Sequence, residues 1–331
     1  QPLKQTYTIP GTGLTADVYV VARMRSQCWN PDGNVYDGVE WTHPVVIINP
    51  RVRLSDTAML FIDGGSRNST PQINPVLAQI AAVSGTPVVH IANIPSQPLT
   101  FEDEVIPPGE QDNYSGADSI LRSRTEDAAI AYSYDKFLRD YRNGHEADTP
   151  WPLLFPMVKA AVKAMDTAEN VLQAAGEDPI EDFVVAGASK RGWTTWLTGA
   201  VDPRVKAVIP IVINVLNMEK NLAHHRASYG YWSPAIYDYA QMGVFDQLIP
   251  TSETPDLSPE ALALLDLVDP YEYAKDGAYD GKPIFMLNAT GDEFFVPDKG
   301  ANDDSMDVLE SAGEANQSFI PNVGHGMGGL E

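Results

Sequence analysis

The chain reads as an α/β fold, a mostly parallel central sheet flanked by helices, because apolar strand patterns alternate with helical ones along most of it. Three strand-to-loop junctions sharpen that reading. The first is Phe183-Val184-Val185-Ala186-Gly187-Ala188-Ser189-Lys190-Arg191-Gly192-Trp193, an apolar run that ends in a serine and passes into a helical pattern. The second is Pro283-Ile284-Phe285-Met286-Leu287-Asn288-Ala289-Thr290 running into Gly291-Asp292-Glu293-Phe294-Phe295-Val296-Pro297. The third is Gln317-Ser318-Phe319-Ile320-Pro321-Asn322-Val323 running into Gly324-His325-Gly326.

A serine, then an aspartate, then a histidine, each just past a strand, is the order of the α/β-hydrolases. A sharp strand–turn–helix would lift the Ser189 hydroxyl out of the sheet, with the helix N-terminus favouring negative charge beside it. The turn departs from Gly-x-Ser-x-Gly: Arg191 stands two after the serine and the glycine follows at Gly192. The expected roles are Ser189 as nucleophile, His325 as base and Asp292 as the acid that orients it. Glu293, Asp298 and Asp269 are alternative acids. His43, His90, His145, His224 and His225 are rival histidines that lack the Gly-His-Gly setting. Two N–H donors are needed for an oxyanion, one from Lys190 and one from Gly65 or Ser66 in Asp63-Gly64-Gly65-Ser66. Candidate substrate contacts are Arg191, Trp193, Tyr231 and Trp232, although for Arg191 pairing with an acidic neighbour is the preferred reading over contact with a substrate carboxylate. This chemistry needs no cofactor. The sequence has neither a phosphate-binding glycine loop nor a Cys/His cluster with zinc spacing.

The elements follow in order. Alternation over Ala16 to Ala22 predicts a strand with one wet face, extending to Gln27, and Pro44 to Asn49 and Ala58 to Asp63 predict two more. Asn74 to Ser84 reads as a helix and Thr86 to Ile91 as a strand. The polar, acidic stretch from Pro98 to Arg124 reads as an inserted surface loop. Helices are expected over Arg124 to Tyr141, capped by Thr125, and over Trp151 to Ala175, stopped by Gly176. Strands follow at Asp182 to Ala186 and Val205 to Ile213. Residues 214–281 break the rhythm. They read as a helical, aromatic-rich cap inserted into one domain spanning 1–331, with most of Tyr229, Tyr231, Trp232, Tyr237 and Tyr239 packing the insert onto the core and one or two facing substrate.

Composition narrows the function classes. The 331 residues carry 45 acidic against 22 basic side chains, a net charge of −23. That balance opposes nucleic-acid binding and adsorption to anionic membranes. No apolar run approaches the ~20 residues of a membrane span. Cys28 is the only cysteine, so no intrachain disulfide can form, and at the end of a strand it reads as a small buried residue. The first residues, Gln1-Pro2-Leu3-Lys4, contain no signal segment and read as a mature or trimmed chain. Oligomeric state is left open.

Several segments together resemble the PhoPQ-activated pathogenicity-related proteins. They are Leu60-Phe61-Ile62-Asp63-Gly64-Gly65-Ser66, Arg124-Thr125-Glu126-Asp127 with Ile130-Ala131-Tyr132, and Pro156-Met157-Val158-Lys159-Ala160-Ala161 with Ala164-Met165-Asp166. They continue with Gly187 to Trp193, Tyr229-Gly230-Tyr231-Trp232-Ser233, Val268-Asp269-Pro270-Tyr271, Asn288 to Pro297 and Pro321 to Gly326. The resemblance covers roughly residues 40–328. It implies an α/β-hydrolase core, a Ser189, Asp292 and His325 triad, and export to the periplasm or beyond the cell. Two departures from the family pattern are a longer segment at 103–122 and an end at Glu331, soon after the histidine. The expected activity is that of a serine hydrolase on a small carboxylic ester. Alternatives are a peptidase or amidase whose substrate amine is caught by Asp238, Glu253, Asp269 or Glu272, and an inactive hydrolase-fold binding protein.

Overall fold

The computed structural model describes residues 2–105, 121–144, 150–252, 255–297 and 303–328. In chain order the strands are β1 (Leu3–Thr8), β2 (Thr15–Cys28), β3 (Val35–Asp37), β4 (Glu40–Pro50), β5 (Thr57–Ile62), β6 (Val88–Ile91), β7 (Leu99–Val105) and β8 (Leu121–Arg124). They continue with β9 (Asp182–Ala188), β10 (Val205–Ile211), β11 (Ile284–Ala289) and β12 (Ala315–Ile320). The helices are α1 (Pro75–Ser84), α2 (Glu126–Arg142), α3 (Leu154–Ala175), α4 (Lys190–Val201), α5 (Met218–Tyr229), α6 (Tyr237–Gln241), α7 (Val244–Gln247), α8 (Pro259–Val268), α9 (Pro270–Lys275) and α10 (Asp303–Met306).

Nine strands form one sheet in the order β1-β2-β4-β6-β5-β9-β10-β11-β12. The pairs from β1 to β6 are antiparallel, and those from β6 to β12 are parallel. Period-two alternation explains how both faces are covered. Val18, Val46 and Ile48 turn to one face and meet Leu77, Ala78 and Ala81 of α1. Tyr19, Val45, Ile47, Leu60 and Ile62 turn to the other, into the larger core that also takes α2, α3 and α4. Asn74 caps α1 by accepting from the N–H groups of Val76 and Leu77, and α3 ends at Gly176 with φ +75°.

Four expectations are corrected. The stretch 98–124 is not all loop: its ends, β7 and β8, join β3 in a separate three-stranded sheet. Residues 106–120 lie outside the described residues. Cys28 is exposed, at the end of a strand whose last residue faces water, with its sulfur near Arg25 Nη2 at 3.1 Å. Thr125 precedes α2 but makes no side-chain cap; the first N–H of that helix goes to Gln97 Oε1 at 2.7 Å. Tyr229, Tyr231 and Tyr237 are exposed, so three of the five insert aromatics do not pack the insert down.

Between β10 and β11 the chain forms α5 to α9. Asp269 fastens this stretch, accepting from the N–H groups of Asn217 at 3.1 Å, Met218 at 2.6 Å and Tyr271 at 2.8 Å. One buried carboxylate therefore holds the starts of both α5 and α9, at helix N-termini that favour negative charge.

Candidate active site

Ser189 alone makes the turn from β9 into α4. It does so at φ +55° and ψ −130°, a conformation that side chains other than glycine rarely adopt. Two glycines provide the room. A Cβ on Gly187 would lie 2.7 Å from the Arg191 carbonyl oxygen, and one on Gly192 would lie 2.5 Å from Ile213 Cγ2. The tight position is therefore three after the serine rather than two. At the position two after it, Arg191 sends its side chain out to the Ile94 carbonyl at 2.5 Å and Glu126 at 2.7 Å. Of the two partners weighed for Arg191, the acidic neighbour is the one it has.

The three junctions converge. Ser189 Oγ lies 2.9 Å from His325 Nε2, and His325 Nδ1 lies 3.0 and 2.9 Å from the two carboxylate oxygens of Asp292. The sheet makes this possible: β11 and β12 pair in parallel from Ile284↔Ala315 to Ala289↔Ile320, so the loops after them leave the sheet side by side. Asp292 is buried, and its Oδ1 also accepts from the N–H groups of Phe294 at 2.8 Å and Phe295 at 3.2 Å. The rival acid Glu293 does something else: its Oε2 accepts the main-chain N–H of His325 at 3.1 Å. Asp298 and His145 lie outside the described residues.

The other histidines have structural partners. His43 is buried between Ser26 Oγ, 2.9 Å from Nε2, and the Asn93 carbonyl, 3.0 Å from Nδ1. His90 Nε2 meets Asp63 at 2.9 Å. Burial pushes the Asp63 carboxyl up, but the hydrogen bond and charge of His90, aided by the Gly64 N–H, outweigh it and hold Asp63 below the usual carboxylate range. His225 Nε2 accepts the Ser233 N–H at 3.1 Å, and burial keeps its pKa low.

For the loop donors, the structure separates the two expected residues. Ser66 N–H already donates to Ser69 Oγ at 2.8 Å, whereas Gly65 N–H has no partner among the described residues. Gly65 has φ +127°, and a Cβ there would lie 2.7 Å from Ser69 Oγ, so only glycine fits. Lys190 is the first residue of α4, and its N–H has no intrahelical acceptor.

A largely apolar cavity opens beside Ser189. Trp193, Ile213, Met218, Leu222, Phe245 and Phe294 line it, with Tyr239 and Asp127 among the polar groups. Trp193 lies on its wall, its indole N–H tied to the Val268 carbonyl at 2.6 Å. Tyr231 and Trp232 do not line it: Tyr231 is exposed, and Trp232 Nε1 donates to Asp246 at 2.9 Å. Tyr239 does, stacked on Phe245 with ring centroids 4.4 Å apart and its hydroxyl on Asp127 at 3.0 Å.

Sequence reasoning missed Phe294, Glu126 and Asp127. Phe294 lies with its ring centroid 4.0 Å from that of His325. An aromatic pair directly after Gly-Asp-Glu was the available signal. Lys190 Nζ is buried between Glu126 at 2.9 Å and Asp127 at 3.0 Å, and two carboxylates opening a helix could have flagged a buried cation nearby. Among the described residues no group of three or more His, Cys, Asp or Glu could hold a metal ion, and no helix is long and apolar enough to cross a membrane.

Among solved structures, acetyl xylan esterase from Paenibacillus sp. R4 is similar at a TM-score of 0.54 and 13% identity, covering 98% of this chain and 83% of that one. The likeness is one of fold, that of the α/β-hydrolases. In sequence, Autocrine proliferation repressor protein A of Dictyostelium discoideum is 32% identical over 312 residues, which is 93% of this chain and 56% of that protein. The chain thus spans about half the length of this curated relative. The pattern described as PhoPQ-activated pathogenicity-related protein matches residues 3–330, and the chain belongs to that family.

Proposed function

We propose that the chain is a serine hydrolase that cleaves small carboxylic esters through an acyl-enzyme. The observation that carries this reading is the chain of contacts from Ser189 Oγ through the His325 ring to the buried Asp292. In it, Ser189 attacks the acyl carbon while His325 Nε2 takes the hydroxyl proton. The Nδ1–H goes on donating to Asp292, which fixes the ring and stabilises its charged form. The proton then passes to the leaving alkoxide, and a water attacks the acyl-enzyme by the same route. The oxygen that becomes negative would accept from Lys190 N–H and Gly65 N–H. The 214–281 stretch serves as a cap, because residues from its start line the cavity above the serine. An apolar wall selects an apolar group on the substrate.

Amine capture, which a peptidase needs, has less support at two of the four carboxylates that could provide it, Asp269 and Glu272. Asp269 is buried under three main-chain donors and Glu272 pairs with Lys275. Glu253 lies outside the described residues. A second reading comes from the Dictyostelium relative, whose name is that of an autocrine repressor of proliferation. It would make this chain an exported binding or signalling protein on a hydrolase fold.

Labelling with a fluorophosphonate, with Ser189→Ala as control, separates the two. The hydrolase reading expects stoichiometric labelling that the substitution abolishes, together with turnover of a short p-nitrophenyl ester. A folded wild type that neither labels nor turns over ester supports the binding role instead.

A further inference from the structure

Glu126 opens α2 at φ +50°, in the left-handed region that side chains other than glycine seldom enter. Its N–H donates to Gln97 Oε1 at 2.7 Å. Its carboxylate gathers donors from three side chains: Oε1 accepts from Arg191 Nη2 at 2.7 Å and from Gln97 Nε2, and Oε2 pairs with Lys190 Nζ at 2.9 Å. The same Gln97 amide nitrogen donates to the Gly65 carbonyl at 2.8 Å. Arg191 closes the circuit: a Cβ on Gly64 would lie 2.9 Å from its Nη2. Burial pushes the Glu126 carboxyl up, but Arg191 and Lys190 outweigh it and hold the pKa at about 2, so the group is ionised at neutral pH.

We propose that Glu126 is a positioning residue for the oxyanion hole, clamping the loop that carries Gly65 to the helix start that carries Lys190. The inference rests on the hydrolase reading above. Two N–H groups from distant segments must converge on one oxygen, and small misplacements of such donors are costly. Glu126 touches neither donor nor substrate; it acts through Gln97 on Gly65 and through the side chains of Lys190 and Arg191 on α4. Electrostatics and geometry pull in opposite directions here. Glu126 and Asp127 balance Lys190 and Arg191, so neutralising Glu126 leaves net positive charge near the forming oxyanion. That alone would raise the rate. A fall therefore reports lost positioning.

The test uses Glu126→Gln and, to remove the link without unpairing a buried charge, Gln97→Met. Fluorophosphonate titration counts active sites, and kcat per site is then measured on p-nitrophenyl butyrate and on its thionoester, whose sulfur is a poor acceptor for the same donors. The expected result is a fall of about 10–100-fold in kcat on the ester, a KM little changed, and a much smaller fall on the thionoester. Variants that label fully and keep the wild-type ester-to-thionoester ratio overturn the clamp and leave the hydrolase reading standing. A wild type that does not label overturns both.

Discussion

Phe294 supports both partners of the imidazole–carboxylate pair. Its ring lies against His325, centroids 4.0 Å apart and planes inclined by 32°, while its own N–H donates to Asp292 Oδ1 at 2.8 Å. The main-chain bond survives any substitution except proline, so side-chain variants change only what the ring touches, His325 and the cavity it lines.

Phe294→Leu should therefore lower kcat/KM on an ester while leaving thermal stability close to wild type. A ring contact is worth about 0.5–1.5 kcal/mol, which corresponds to a fall of about 2–10-fold. Steady-state kinetics beside a melting curve check this. Unchanged kcat/KM would mean that the Asp292 carboxylate alone orients His325.

The cavity wall makes a second expectation. Met218 lies at the start of α5 and lines the space beside Ser189. Met218→Trp should fill part of that space. Activity on p-nitrophenyl acetate should hold while activity on the octanoate falls, so the chain-length profile shifts toward short acyl groups. A uniform loss across chain lengths would mean that the apolar group of the substrate lies elsewhere.

His43 sets a dependence of stability on pH. Burial lowers its pKa to about 4, outweighing the Asn93 carbonyl that favours its charged form. Its folded-state pKa thus lies below the ordinary 6.5, so between these values the unfolded chain binds the extra proton. Stability is full above pH 6.5 and is lost as pH falls toward 4, by about 2 kcal/mol between pH 7.5 and 5. Urea denaturation of wild type and His43→Gln at the two pH values checks this. The variant should be less stable overall and lose less on acidification. Since His225 is also shifted down by burial, it is the difference between the two proteins that carries the result.

The sheet and the three junctions were legible because each rests on local signals: apolar runs of strand length that end in glycine and a polar residue. The side-chain network around Ser189 was not. Glu126 and Gln97 reach Lys190 and Gly65 across the fold, and no spacing announces such contacts. The insert was readable as helical but not as to facing. With Tyr229, Tyr231 and Tyr237 exposed and Tyr239 buried, aromatic content there does not follow one face. Cys28 misled for a related reason: register shifts between Val21 and Met24 and between Arg25 and Gln27 break the alternation along β2 before its last residue.

His325 follows β12, one of the two edge strands, which has β11 as its single neighbour in the sheet. Ser189 follows β9, which is flanked by β5 and β10. The nucleophile therefore follows a strand paired on both sides, while the group that activates it follows a strand paired on one side only. Opening of an edge strand needs far less free energy than global unfolding. Fraying there would separate the base from its serine and leave the rest of the molecule folded. On gentle heating, catalysis would switch off reversibly while helix content is still intact, so a melting curve alone would overstate the temperature range in which this protein works.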